Sequence, residues 1–189
     1  MRPHTLIVLT LLFALATSPA SAFRNVAPGD SPDSPTLIAV DGMVEPLLAS
    51  YCGAPTVVLF WATWSPRSAD ALADLQELYA GSGMPVVAVN VDSGSPDGEL
   101  VAEVARATRT TQFPVVIDRG LNLSGQWGVV AVPSVALVDG AGRVLRTLDG
   151  YPPAQRQKFL QEAASLASAA AGDRGSLACN TPDSSHRAY

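Results

Sequence analysis

An α/β domain with a central mixed β-sheet flanked by helices is predicted by three stretches of this chain. Residues 56–61, TVVLFW, form an unbroken run of β-branched, apolar and aromatic side chains, the pattern of a strand covered on both faces. In residues 66–79, Leu72, Leu75, Leu78 and Tyr79 recur at helical spacing while Asp70, Asp74 and Glu77 fall on another face, which predicts an amphipathic helix. Gly81, Ser82 and Gly83 stop that helix, and residues 84–91 return as a second buried strand. A strand, helix, strand unit of this kind places its two strands parallel.

The other elements extend that unit in both directions. Residues 1–22 read as an export signal: Arg2 supplies positive charge, residues 6–16 are apolar, and Ala20, Ser21 and Ala22 fit a cleavage site before Phe23. Residues 25–33 hold Pro28, Gly29, Asp30, Pro32 and Asp33, which is loop chemistry. A short strand over 36–40 runs into Asp41-Gly42, a turn signal, so an N-terminal β-hairpin is expected. Helical spacing over 100–107 is followed by a brief strand over 115–117 and a short helix over 121–127. Residues 134–138 and 143–148 flank Asp139-Gly140-Ala141-Gly142 as an antiparallel hairpin. Residues 154–171 are alanine-rich and helical, closed by Gly172. The domain is therefore set at 23–171, before a tail over 172–189 too poor in large apolar side chains to dock and expected to be flexible.

Composition narrows the function classes. The chain has 189 residues, enough for one domain with a real core. Its formal charge is −5 and becomes more negative once Arg2 leaves with the signal, so it has no basic footprint for nucleic acid. The apolar run of the signal is too short to span a bilayer, and no later stretch approaches about 18 consecutive apolar residues, so no permanent membrane segment is expected. No cysteine follows the cleavage site, which argues against a lipid anchor. The expectation is a periplasmic or secreted protein. Cys52 and Cys179 meet an oxidising compartment there, and they read either as one disulfide pinning the tail or as two unrelated thiols.

Between the first buried strand and its helix lies Trp61-Ala62-Thr63-Trp64-Ser65-Pro66-Arg67-Ser68, and Ala131-Val132-Pro133-Ser134 introduces the late hairpin. With the element order and a second strand ending in Asn90, Val91 and Asp92, these motifs resemble the TlpA/ResA group of exported thioredoxin-like proteins, in the thioredoxin/redoxin superfamily, over residues 25–171. The first motif is similar to the W-C-x-x-C active-site turn of that group and the second to its cis-proline loop. The resemblance implies a thioredoxin-like fold. It also implies a chemistry in which one cysteine thiolate, favoured by a helix N-terminus, attacks a disulfide and a second cysteine releases the product. Ser65 and Ser68 stand at those two positions, and a serine hydroxyl does neither job near neutral pH. Peroxiredoxins share the fold and need a cysteine near the same helix start, so peroxidase chemistry is equally in doubt. Cys52 precedes the strand that Ser65 follows; at ~3.3 Å per residue the two ends lie roughly 15–20 Å apart. Cys179 lies on the tail.

Each remaining candidate has a structural reading beside its functional one. Ser65 followed by Pro66 is a good helix start, a serine N-cap with proline at the first helical position. As a nucleophile Ser65 lacks a base, since the only histidines are His4, in the signal, and His186, near the C-terminus. The same shortage of cysteine and histidine leaves no metal to assign. Asp92, Asp97 and Glu99 read as a solvated loop before they read as a calcium site. Asn122-Leu123-Ser124 is a weak glycosylation triplet. Pro133 shapes its loop, while Val132 can offer backbone groups to an extended peptide, as in relatives that pair with substrates there. Trp64 fits packing or contact, Pro66 adds to an apolar wall beside it, and Arg67 near the helix start suits an acidic or phosphate group.

The expected function is binding without a cofactor: an exported thioredoxin-like protein, lacking the dithiol, that holds an extended segment of another exported protein at Trp64, Pro66, Arg67, Val132 and Pro133. One alternative is a TlpA/ResA-type thiol-disulfide oxidoreductase whose activity is weak or supplied by a partner's thiols. Another is a structural subunit of an envelope complex. The oligomeric state is left open.

Overall fold

A computed structural model describes residues 23–33, 36–39, 44–46, 53–93 and 98–173. The signal at 1–22, the Asp41-Gly42 turn, Cys52, Cys179, Asp97 and the tail beyond 173 lie outside those residues.

The strand, helix, strand unit is the centre of the molecule. β1 (Thr36–Ala39), β2 (Val44–Pro46) and β3 (Thr56–Trp61) lead into α1 (Pro66–Ser82) and β4 (Val86–Asn90). Then come α2 (Gly98–Ala107), β5 (Val115–Ile117), a 3₁₀ turn (Arg119–Leu121), α3 (Asn122–Trp127), β6 (Ser134–Val138), β7 (Val144–Asp149) and α4 (Pro153–Asp173). The strands form one seven-stranded sheet in the order β2-β1-β5-β4-β3-β6-β7. β3 runs parallel to β4, in register from Val57↔Val86 to Trp61↔Asn90, and antiparallel to β6, from Thr56↔Val138 to Phe60↔Ser134. The sheet is mixed, with β1 antiparallel to both β2 and β5.

Strand alternation sorts the core into two layers. Val57, Leu59 and Trp61 of β3 face Leu72, Leu75 and Leu78 of α1 and Phe159 of α4. Val58 and Phe60 face the other way, onto Leu123 and Trp127 of α3 and onto Phe23 and Val26. Phe60, Trp127 and Phe23 touch pairwise with ring centroids 5.3–6.1 Å apart, so the segment at 23–26 closes the second layer. Burying each such side chain contributes about 2 kcal/mol, which explains why β3 is apolar at every position after Thr56.

Several element ends differ from the sequence expectation. α1 continues through Gly81 to Ser82, because the left-handed stop is taken by Gly83 (φ 66), whose N–H donates to the Tyr79 carbonyl at 2.9 Å. β4 is shorter than residues 84–91, with Pro85 outside it accepting from the Val57 N–H at 2.8 Å. The helix expected over 121–127 begins one residue later, at Asn122, because Leu121 (φ 55) is its N-cap and, with Gly120 (φ 73), closes a separate 3₁₀ turn. α4 passes through Gly172 to Asp173. At the end of the sheet away from Ser134, Gly140 lies against the Gly53 backbone so closely that a Cβ would fall 1.5 Å from its carbonyl oxygen. No helix among the described residues is long and apolar enough to cross a membrane.

Candidate functional site

The site lies where β3 and β4 end together. After Trp61, buried at the edge of the first core layer, the chain turns sharply, with the Ser65 N–H donating to the Ala62 carbonyl at 3.2 Å. Asp92 holds that turn from the neighbouring strand end: its carboxylate oxygens accept from the Thr63 N–H at 3.2 and 3.1 Å. Asn90 completes the clamp, donating from Nδ2 to Asp92 at 2.8 Å and accepting from the Asp92 N–H at 3.2 Å. With both flanks fixed, Trp64 at the apex projects into solvent, 70% exposed.

α1 begins directly beyond. Ser65 is its N-cap, in extended geometry (φ −97, ψ 111), and Pro66 occupies the first turn, as the sequence predicts. The hydroxyl departs from that expectation, because it makes no capping bond. The Ser68 N–H donates instead to the Ser65 backbone carbonyl at 2.9 Å. Ser68 is 1% exposed, and its Oγ accepts from the Ala62 N–H at 3.3 Å, so this hydroxyl braces the turn from inside. Neither serine has an imidazole near it among the described residues, because both histidines lie outside them.

The facing wall comes from the loop before β6. The Val132–Pro133 peptide bond is cis, and the Ser134 hydroxyl ties the loop by donating to the Ala131 carbonyl at 2.9 Å. Below it, buried Asp118 accepts from the Leu123 and Ser124 N–H groups at 3.0 and 2.7 Å and so anchors the start of α3. Between the walls runs an open apolar groove of about 180 Å³ lined by Trp64, Val91, Leu121, Val129, Val130 and Val132 among others. Of the four large apolar side chains exposed among the described residues, Trp64, Leu121 and Val130 stand on this groove. Exposed apolar side chains grouped around a groove make it a candidate binding surface.

The structure brings together some of the residues singled out from the sequence. Trp64 and Val132 share the groove. Pro66 and Arg67 are exposed at the start of α1 and Pro133 is buried, and none of the three lines the groove. Trp64 is corrected from the packing alternative by its exposure. Asp92 is drawn away from the calcium reading by its bonds to Thr63 and Asn90. Leu121, Val129 and Val130 were not singled out; the signal was the apolar Val129-Val130-Ala131-Val132 run, which ends at a proline and so cannot continue as a paired strand.

Behind α1 a second polar cluster is enclosed in the first core layer. Tyr151, 3% exposed and in the left-handed region (φ 49), has its hydroxyl buried beside the Asp74 carboxylate. Burial pushes its pKa upward from 10.0, the Asp74 carboxylate adds to that, and Arg156, 3.4 Å from Asp74, acts the other way. None of these groups lines the groove.

The family model for Redoxin matches residues 28–162. The thiol-disulfide oxidoreductase ResA of Geobacillus thermodenitrificans (strain NG80-2) is 32% identical over 154 residues, covering 78% of this chain and 86% of its own length. ResA of Geobacillus kaustophilus (strain HTA426) is 29% identical with the same coverage. Among solved structures, a candidate thiol:disulfide interchange protein DsbE from Chlorobium tepidum superposes with a TM-score of 0.63 at 25% identity, over 75% of this chain and 99% of that one.

Proposed function

The chain belongs to the redoxin family and has its thioredoxin-like fold, and from that premise we propose that it is an exported protein that binds and does not exchange disulfides, holding an extended segment of another envelope or secreted protein in the groove at Trp64. The observation that carries this reading is the cluster of Trp64, Leu121 and Val130, left exposed around a groove whose neighbouring helix start holds Ser65 and Ser68 in place of sulfur. An extended segment along Val132 would add main-chain hydrogen bonds, and alternate side chains would enter the apolar floor. The export signal read over residues 1–22 supports a partner outside the cytoplasm.

Loss of exchange follows from chemistry. Thiol-disulfide exchange proceeds through a thiolate and a mixed disulfide, and neither serine can supply them. An insulin-reduction assay with a thiol reductant checks this half: a variant with Cys52→Ser and Cys179→Ser should show no turnover above the reductant alone, and clear turnover overturns the reading.

The relatives named thiol-disulfide oxidoreductases favour a second reading, in which activity is weak or borrowed from a partner's thiols. The paired replacement Ser65→Cys with Ser68→Cys separates scaffold from nucleophile. Activity gained only by the pair indicates an intact scaffold that lacks its sulfurs.

A further inference from the structure

The groove wall between α3 and β6 is anchored at both ends, and one anchor comes from a segment 100 residues away in sequence. At the β6 end the Ser134 hydroxyl holds the Ala131 carbonyl. At the α3 end the anchor is Phe23, Arg24 and Asn25. The Arg24 N–H donates to the Gly128 carbonyl at 2.9 Å and the Asn25 N–H to the Trp127 carbonyl at 3.3 Å. Asn25 Nδ2 donates to the Gln126 and Gly125 carbonyls at 3.1 and 3.3 Å. Four successive carbonyls at the end of α3 are thus satisfied by two residues. Phe23 forms an antiparallel bridge with Val129, itself a lining residue, and its ring is buried against Phe60 and Trp127. The approach is close: at Gly128, in the left-handed region (φ 68), a Cβ would fall 2.8 Å from the Asn25 nitrogen. Farther along, Gly29 donates to Val144 and Asp30 accepts from it, each at 2.8 Å, so the same segment is secured on β7.

We propose that residues 23–25 are a strap that sets the α3 side of the groove, and that Phe23 and Asn25 are positioning residues for its ligand although neither lines it. With six residues, α3 is too short to hold its last turn unaided. Val129 follows that turn directly, so the strap determines where Val129 and Val130 stand. Cleavage before Phe23, the position expected from the sequence, leaves the strap whole, and trimming as far as Val26 removes it. The placement of the wall stands on geometry alone, while the effect on binding rests on the groove reading.

The test uses the chain from residue 23 onward and changes the exposed Asn25, which leaves the core intact. Amide hydrogen exchange is followed at Gly128 and Val129, whose N–H groups donate to the Gly125 and Ser124 carbonyls, and in the middle of β3. Asn25→Ala should speed exchange about tenfold at those two amides and less than about twofold in β3. Asn25→Asp, which turns an acceptor toward the same carbonyls, should speed it more. Binding is read by fluorescence anisotropy with a dye-labelled, end-blocked heptapeptide of alternating valine and serine, and Asn25→Ala should weaken it about fivefold. A rise in exchange shared equally with β3, or none in either variant, overturns the strap. Faster exchange at Gly128 and Val129 with peptide binding unchanged overturns the positioning role and keeps the groove. A wild-type chain that does not bind the peptide overturns the groove reading and the positioning role together, while the exchange measurement still decides the strap.

Discussion

Two helix starts flank the groove, and they are finished in opposite ways. At α3 a buried aspartate, Asp118, accepts two backbone N–H groups at 3.0 and 2.7 Å, and its own N–H donates to the Asn90 carbonyl at 2.9 Å. At α1 the N-cap hydroxyl is unbonded and no acid stands in the first turn. The difference follows what each helix needs. α3 has only six residues, too few to be stable alone, so a resident carboxylate must order it. α1 buries Ala71, Leu72, Leu75 and Leu78 along its length, and that packing holds it without a cap. A long helix held by its packed face can leave its start uncapped, and a six-residue helix cannot.

The widest gap between the two starts should appear in stability. Asp118→Ala strips the partner from two amides at the head of α3 and should cost about 3 kcal/mol, seen as a lower urea midpoint at unchanged slope. Ser65→Ala removes a hydroxyl that bonds to nothing and should cost less than about 0.5 kcal/mol. Equal losses would break the comparison, for they would mean that Ser65 caps its helix in solution.

The frame was far more legible in the sequence than this contrast. β3, α1 and β4 could be read because burial on both faces demands an unbroken apolar run, and burial on one demands helical spacing. The motif at Trp64 and the loop at Val132 were legible through their resemblance to a family's active-site turn and cis-proline loop. What escaped depends on contacts distant in sequence. The clamp of Asp92 on Thr63 spans 29 residues, and nothing local distinguishes that aspartate from a solvated one. Leu121 resembled a helix residue, yet Gly120 and Leu121 both take positive φ, so its side chain stands at the groove and outside the core. The Ser65 hydroxyl looked like a cap because serine beside proline usually is one.

Along α1 itself the open start can be set against the enclosed Tyr151 behind its middle turns. Tyr151 has its folded pKa raised above 10.0, so the neutral form is favoured in the folded state. Stability from this group is complete below the unfolded value and is lost as pH rises past it, by at most about 1.4 kcal/mol per pH unit for one proton. Denaturant unfolding between pH 8 and pH 11 should therefore show a decline that Tyr151→Phe lessens. A Tyr151→Phe variant with an undiminished decline would assign the effect to other groups.

Ser65→Asp gives α1 the resident carboxylate that α3 already has. The added charge meets the Arg67 N–H and the helix dipole, so the variant should gain about 0.5–1 kcal/mol at neutral pH. A cap carboxylate has its pKa lowered by those donors, so the gain should persist above the ordinary aspartate value of ~3.9 and fade as pH drops below it. A variant that gains nothing would show that the geometry of Ser65 keeps even a carboxylate from reaching the helix amides.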